Sequence, residues 1–513
     1  MCAIKGEIFN LALFFSERNN VVKRVALISI VLIWLPSVSS AAAPLKLTLS
    51  EAIRMAAEKN LDVRAELYNP AQFEADFNRN RAIYNPLFTA QTSYFDSTTP
   101  TVNTVTQISS SGTGFQLNAG LSQLFWSGAT VSVGFNNAYN SSNNSSNDYW
   151  QSSLGASLTQ PLLKNMGREA TEVNITVSRL SKFASIEKYN EFLLNTVAQV
   201  KNEYYKLYDL REQVEVKKVS LELARKILSE TKARVAAGVL PAMEILNAEY
   251  GAVSREKDLI DAEKAVSDQV DVLHLLLQIE GRGDITIVDM PRRDLIEVSE
   301  VDSLKRAMNR QDIREQKRNL EIAELQTRVY RNKTRPDLSL VASTSVVGLG
   351  STYSRDLERF TTVDYPAWSV GLNFSYPLGN GAAENDYRKS RLRTEQIALQ
   401  IKSLEEGAAN DVHAAIRAVT TGYKQIDVAD RGRAFAEERL RAFIRKNEVG
   451  LATTKDVLDV ENDLATAKSN QISAVVGYNN AITRLWQVTG ELLEREGIHV
   501  VEADVDKLYT NTR

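Results

Sequence analysis

Two hydrophobic periods recur along this chain, and they fall in different places. Phe115, Leu117, Ala119 and Leu121 alternate with Gln116, Asn118, Gly120 and Ser122. Leu154, Ala156 and Leu158 alternate with Gly155, Ser157 and Thr159, and Val370, Leu372, Phe374 and Tyr376 with Gly371, Asn373 and Ser375. A period of two predicts strands with one apolar face and one small or polar face. A membrane barrel needs that pattern, lipid-facing outside and wet inside, although taken alone these segments suit a soluble β-sandwich better. Aromatic residues gather near the predicted strand ends, at Tyr94, Phe95, Phe125, Trp126, Tyr149, Trp150, Tyr365 and Trp368, where interfacial girdles would lie. The Ser-, Thr- and Asn-rich stretches Thr98–Gly112 and Asn136–Asn147 read as long exposed loops.

The second period is helical. Val457, Val460, Leu464, Ala467, Ala474, Tyr478, Ala481 and Leu485 recur at spacings of three, four or seven, the seam of a helix supercoiled on a neighbour. No proline lies between Leu162 and Leu240 or after Leu378, and no glycine lies between Arg168 and Ala237. Both residues weaken or break helices. Their absence permits a single helix of roughly 100 Å at 1.5 Å per residue, a length that suits a duct or a coiled coil rather than a compact domain.

The pattern is also duplicated, which is the strongest signal of organisation. Leu49-Ser-Glu-Ala-Ile-Arg-Met-Ala resembles Glu300-Val-Asp-Ser-Leu-Lys-Arg-Ala-Met, Pro86-Leu-Phe matches Pro336-Asp-Leu, and Gln160-Pro161-Leu162 matches Tyr376-Pro377-Leu378. Gly238 followed by Glu244-Ile-Leu-Asn-Ala-Glu249 matches Gly450 followed by Asp456-Val-Leu-Asp-Val-Glu461 at a constant offset of 212. Each half reads helix, strand pair, long helix, tight turn, helix. The first half covers 42–290, with strands over about 87–160 and a hairpin tip near 238–241. The second covers 291–494, with strands over about 337–377 and a tip near 450–453, and a tail follows over 495–513.

Composition adds boundaries rather than chemistry. Residues 1–41 read as an export signal: Lys23 and Arg24 are its basic region, Val25 to Leu35 its apolar region, and Ser39-Ser40-Ala41 its cleavage site. Removing its four basic and two acidic residues changes the formal net charge from -3 to -5, a balance that gives no electrostatic case for nucleic acid. Beyond that signal no run of about 18 apolar residues predicts a membrane helix. Cys2 is the only cysteine, so the processed chain has no disulfide and no Cys-based metal site. His274, His413 and His499 lie far apart, and no GxSxG, P-loop or zinc motif occurs. No cofactor and no enzymatic activity are expected.

Taken in order, Leu158-Thr-Gln-Pro-Leu-Leu163, Val370-Gly-Leu-Asn-Phe-Ser-Tyr-Pro-Leu378 and Gly450 with Asp456-Val-Leu-Asp459, in a duplicated chain behind a signal, resemble the TolC family of outer-membrane efflux proteins. The resemblance covers nearly everything from Leu47 to Leu493. It implies an α+β membrane protein, a homotrimer in which each protomer gives four strands to a shared 12-stranded β-barrel and long helical hairpins to a shared periplasmic tunnel. It implies residence in the outer membrane of a Gram-negative bacterium, against outer-membrane lipid, with a large periplasmic part. It further implies a passive exit duct for tripartite efflux or type I secretion, served by a periplasmic adaptor and by an inner-membrane pump or ATP-driven exporter. No cysteine near Ala42 offers the N-terminal lipid that some relatives carry.

The same resemblance assigns the candidate site. Asp456 and Asp459, three apart on one helix face, would line the narrow periplasmic end and form stacked acidic rings in a trimer, as cation-attracting rings do in channels. Spacing alone describes only a solvated face; the matched motif gives the pair its role. Glu244 is the repeat counterpart of Asp456, and acidic partners near it can link neighbouring hairpins in the family. This chain departs from the best-known lock by placing Asn447 at a tyrosine position and Ala452 at an arginine position. The turns Gly238-Val239-Leu240 and Gly450-Leu451-Ala452-Thr453 would meet the adaptor, with Val239, Leu240 and Leu451 as exposed apolar contacts. The rival reading is a periplasmic coiled-coil scaffold with β inserts and no channel.

Overall fold

The computed structural model describes residues 45–102, 107–142, 148–281, 283–498 and 502–511; the signal expected over 1–41 lies outside them. In chain order the elements are β1 (Leu45–Leu47), α1 (Leu49–Lys59), α2 (Leu61–Arg81), β2 (Leu87–Val102), β3 (Gln107–Leu124), β4 (Thr130–Ser142) and β5 (Tyr149–Pro161). Then follow α3 (Arg168–Thr171), α4 (Val173–Ala236), α5 (Met243–Leu277), β6 (Ile285–Ile287), α6 (Glu300–Ala307) and α7 (Gln311–Lys333). The chain continues through β7 (Asp337–Val347), α8 (Tyr353–Thr361), β8 (Tyr365–Ser375), α9 (Gly381–Glu448), α10 (Thr454–Val488), α11 (Leu492–Arg495) and α12 (Glu502–Asn511). They belong to two compact units. The smaller contains residues 45–46 and 281–286 without 282, where the Leu45 N–H donates to the Asp284 carbonyl at 2.8 Å. The larger holds the main sheet and the long helices.

The duplication is visible in local chemistry. Thr48 caps α1, its hydroxyl accepting from the Glu51 N–H while the Glu51 carboxylate accepts from the Thr48 N–H. Ser299 caps α6 by accepting from the Asp302 N–H at 3.3 Å. Such caps satisfy backbone donors that a helix start leaves free. The helices α4 and α9 run 64 and 68 residues, roughly 100 Å each, and the return helices α5 and α10 are both 35 residues. This is the helix-rich, strand-bearing, duplicated fold that the two periods predict.

The α9–α10 seam is where the heptad pattern goes. Ala408, Val412, Ala415, Val419 and Ile426 on α9 pack with Val475, Tyr478, Ile482, Leu485 and Val488 on α10. Gly422 lets the two helices approach closely, since a Cβ there would meet the Tyr478 Cα at 3.3 Å. Truncating a buried seam residue such as Leu485 to alanine would cost about 3 kcal/mol through lost contacts and the cavity left behind.

The strand count departs from expectation. The main sheet has six strands in the order β2-β3-β4-β5-β7-β8, all antiparallel neighbours. The second half supplies the expected pair over 337–377, but the first half supplies four strands over 87–161, not a pair, so the chain gives six strands rather than four. The missed strands lie in the stretches read as loops. β2 continues to Val102, β3 begins at Gln107, and β4 runs to Ser142. Ladder hydrogen bonds satisfy the backbone of such strand extensions whatever their side chains, so an extension needs no apolar alternation.

Register places most of the apolar residues of all six strands on one face. Phe88 pairs with Leu121, which pairs with Val133, Ala156, Thr344 and Trp368 in succession. One row nearer the strand tips, Ala119, Phe135, Leu154 and Val346 align. The opposite face carries Gln116, Asn118, Asn136, Ser153, Ser345 and Asn373, among other small or polar residues. Of the aromatics proposed as girdles, Tyr94 and Trp150 lie on the apolar face in one cross-strand row with Phe115 and Tyr139. Phe95, Tyr149 and Tyr365 fall on the other face, one residue out of phase. Phe125 and Trp126 mark the short β3–β4 turn at the other end. From Phe115 to Phe125 is about 33 Å along a strand, or roughly 25 Å of height at a barrel-like tilt, the height of an outer-membrane apolar band.

The helix α8, which the sequence reading did not anticipate, packs against this sheet beside β5 and β7. Asp356 is fully buried there. Its carboxylate accepts from the Ser152 N–H at 3.0 Å and the Ser152 hydroxyl at 2.5 Å, and Asn137 donates to the same hydroxyl at 2.7 Å. Trp150 meets Tyr353 and Phe135 meets Phe360 edge to face. The aspartate thus joins the two halves across the β5–β7 boundary.

Candidate functional site

The two hairpin tips are built by the same device. In the first, the Gly238 N–H donates to the Val235 carbonyl at 2.9 Å and the Val239 N–H to the Arg234 carbonyl at 2.9 Å. In the second, the Gly450 N–H donates to Asn447 at 3.1 Å and the Leu451 N–H to Lys446 at 2.8 Å. This paired pattern ends a helix by turning one residue left-handed. Gly238 and Gly450 have φ of 73° and 77°. A Cβ at either would meet nothing within 4 Å, so backbone conformation and not space selects glycine there.

The return helices begin differently. Thr453 caps α10, accepting from the Asp456 N–H at 3.1 Å, while the Asp456 carboxylate accepts from the Thr453 N–H at 2.8 Å and its hydroxyl at 2.7 Å. Those hydrogen bonds, the backbone one foremost, hold the Asp456 carboxyl below the usual carboxylate range. Asp459 is exposed one turn on. In the first tip α5 starts without a side-chain cap, at Ala242. Glu244 is half-buried, and its Oε2 is enclosed without a hydrogen-bond partner. Val239 and Leu451 are exposed; Leu240, expected to be exposed, is half-buried, and Ala452 is likewise intermediate.

Two links between the hairpins were not legible in the sequence. Arg234 on α4 donates to the Asn447 carbonyl at 3.1 Å and to its Oδ1 at 3.0 Å, and Asn447 in turn donates to the Ala452 carbonyl at 2.9 Å. Asn447 is therefore engaged, with an arginine that comes from the other hairpin. About three turns up α5, Arg255 forms a buried pair with Glu461 on α10 at 3.1 Å and also donates to the Leu458 carbonyl at 2.8 Å. Leu458 packs directly over Gly251. A signal existed for the second link only in the repeat, because Glu249 and Glu461 correspond but only Glu461 has a cation facing it from the other hairpin.

The outer surface of α5 carries an apolar stripe. Met243, Leu246, Tyr250, Val253 and Ile260 follow heptad spacing, and each is at least 60 % exposed. A seam of this kind normally lies against another helix. Among the described residues no group of three or more His, Cys, Asp or Glu is placed to hold a metal ion, and no helix is long and apolar enough to cross a membrane.

Comparison with known proteins decides the family. The model of the family described as "Outer membrane efflux protein" matches residues 52–277 and 305–491. The chain belongs to the outer membrane efflux protein family. Its fold is shared with solved channels at low identity. CusC is 15% identical, with 88% of this chain and 95% of that chain covered at a TM-score of 0.66. The Campylobacter jejuni CmeC outer membrane channel is 16% identical, covering 90% and 88% at 0.64, and the outer membrane protein VceC from Vibrio cholerae is 16% identical, covering 86% and 96% at 0.63. No curated protein sequence matches. As a family member the chain is an outer-membrane efflux protein with a long helical region, and the two matched segments correspond to its two halves.

Proposed function

We propose that three copies of this chain form the passive exit duct of a tripartite efflux or type I secretion system. The observation that carries this reading is the sheet: one largely apolar face, in register across every strand and covered by α8 beside β5, with an aromatic row about 25 Å in height from the Phe125–Trp126 turn. A periplasmic scaffold with β inserts would have no use for such a face. The exposed heptad stripe on α5 supports assembly, since a neighbouring copy would bury it. Closing a barrel from several chains also removes sheet edges that lipid would not tolerate.

Asp456 and Asp459 then form two acidic rings at the periplasmic end, with Glu244 beside them on the adjoining hairpin. Asp456 is well suited to a ring because its cap keeps it ionised and fixes its rotamer. The Arg234–Asn447 contact holds the two tips of one protomer together, so opening involves whole pairs of hairpins. Gly238, Val239, Leu240, Gly450, Leu451, Ala452 and Thr453 present the surface for a periplasmic adaptor, and the inner-membrane pump or ATP-driven exporter supplies the energy. Conductance of the purified protein in a planar bilayer tests the reading. A stable pore that a trivalent cation blocks from the periplasmic side is the expected result. A pore without block removes the rings, and a folded protein that never forms a pore, even with Arg234→Ala loosening the tips, removes the duct.

A further inference from the structure

We propose that all six strands of the main sheet stand in the membrane wall, and that β8 of one copy pairs with β2 of the next, so that three copies close an 18-stranded barrel. This rests on the trimeric duct just described, and it departs from the 12 strands that the family resemblance implies.

Three observations carry it. The hairpin β2–β3 is not an appendage: β3 pairs with β4 over an unbroken register from Gly112↔Ser142 to Leu124↔Thr130. Its apolar residues are in phase with the rest of the wall. Phe88, Ala90 and Tyr94 on β2 and Leu117, Ala119 and Leu121 on β3 share the face that carries Leu158, Val370, Leu372 and Phe374. A hairpin folded elsewhere would have no reason to keep that phase, because a slip of one residue would turn its whole apolar set into the lumen. Finally, β2 and β8 are the two edges of the sheet. Every residue of β8 is exposed, as are Phe88 and Tyr94 on β2. In lipid such edges need partners for their backbone groups, and in a ring of identical copies the partner of each β8 is the β2 of its neighbour.

The wet face agrees with a wide lumen. It is lined by Gly114, Gly120, Gly134, Gly155 and serines, and Phe95 lies over Gly114, where a Cβ would meet the Phe95 Cζ at 2.3 Å. An aromatic covering a strand glycine in this way restores the packing that the glycine lacks. With strands about 4.8 Å apart and tilted about 40°, 18 strands enclose a backbone diameter of roughly 36 Å, against roughly 24 Å for 12. The cross-section is about twice as large.

Disulfide trapping in native membranes tests the wall, since the only cysteine of the chain is Cys2 and Cys2→Ser removes it where the leader persists. Gln91→Cys or Ser93→Cys on β2 is combined in turn with Ala367→Cys, Ser369→Cys, Gly371→Cys or Asn373→Cys on β8, all on the wet face. The expected result is a ladder of covalent dimers and trimers for at least one pair after oxidation. The control pairs the same β8 cysteines with Asn136→Cys on β4; trapping there instead means that the hairpin stands outside a 12-stranded wall, and the proposal fails. Lysine cross-linking of the helices runs in parallel. Trimers by lysine with no β2–β8 trapping overturn the 18-stranded wall while keeping the duct, whereas no trimers by either route overturn the duct itself.

Discussion

The two halves of this chain agree at one end and differ at the other. At the tips, Gly238 and Gly450 turn the chain with the same pair of hydrogen bonds, offset by 212 residues. In the sheet, the first half supplies four strands and the second supplies two strands and the helix α8. Each tip is constrained by a single left-handed residue. A wall has no such limit, because adding a hairpin leaves every existing ladder intact. The halves therefore differ most in strand number, while the glycine turn is shared.

The comparison can be broken most severely where the halves touch. Removing one partner of the buried Arg255–Glu461 pair, as Arg255→Ala or Glu461→Ala, should cost about 3 kcal/mol or more by leaving an uncompensated buried charge. Chemical denaturation of the assembled protein checks this. The double substitution to well-packed apolar residues should recover most of the loss. Next in size are Gly238→Ala and Gly450→Ala, each expected to cost about 1–2 kcal/mol for a left-handed non-glycine residue. The costs should be equal within error, as both glycines face open space; unequal values would show that the tips are not equivalent.

A smaller effect distinguishes the tips. Thr453→Ala should destabilise the start of α10 by about 1 kcal/mol, read as faster hydrogen exchange there. The equivalent change in the first tip, Pro241→Ala, removes no side-chain cap and should leave α5 exchange nearly unaltered. The smallest effect is one of pH. The Asp456 carboxyl lies below its unfolded value, so its contribution is complete above the unfolded carboxylate range, near pH 4, and is lost as pH falls through the lower folded value. Proteolysis at the second tip should accelerate in that acidic window and the Thr453→Ala variant should already be fast at neutral pH. An acid response equal in both variants would mean that the cap does not set the titration.

Much of this was legible in the sequence for physical reasons. Helices lacking proline and glycine have few other fates, and the matched glycines located both tips. Alternation marked β3, β5 and β8, but the same pattern at Val131, Val133 and Phe135 in β4 went unread. It failed at Thr98–Val102, Gln107–Gly112 and Asn136–Ser142, where the sequence is dominated by serine, threonine and asparagine. The Arg234–Asn447 contact was hidden by a separation of 213 residues, and nothing in local spacing could have paired them. Asp356 was hidden in the same way. It sits in a polar stretch between two strands, and only the fold brings it to Ser152, 204 residues earlier.

Unequal halves have a consequence for symmetry. Each chain presents two tips turned by the same glycine device, so the proposed trimer would set six similar positions around its axis. The proposed wall would repeat only three times, because a four-strand share alternates with a two-strand share. Such an assembly would pass from quasi-sixfold to strictly threefold order along its length, and the change of order would fall where the long helices hand the chain over to the sheet.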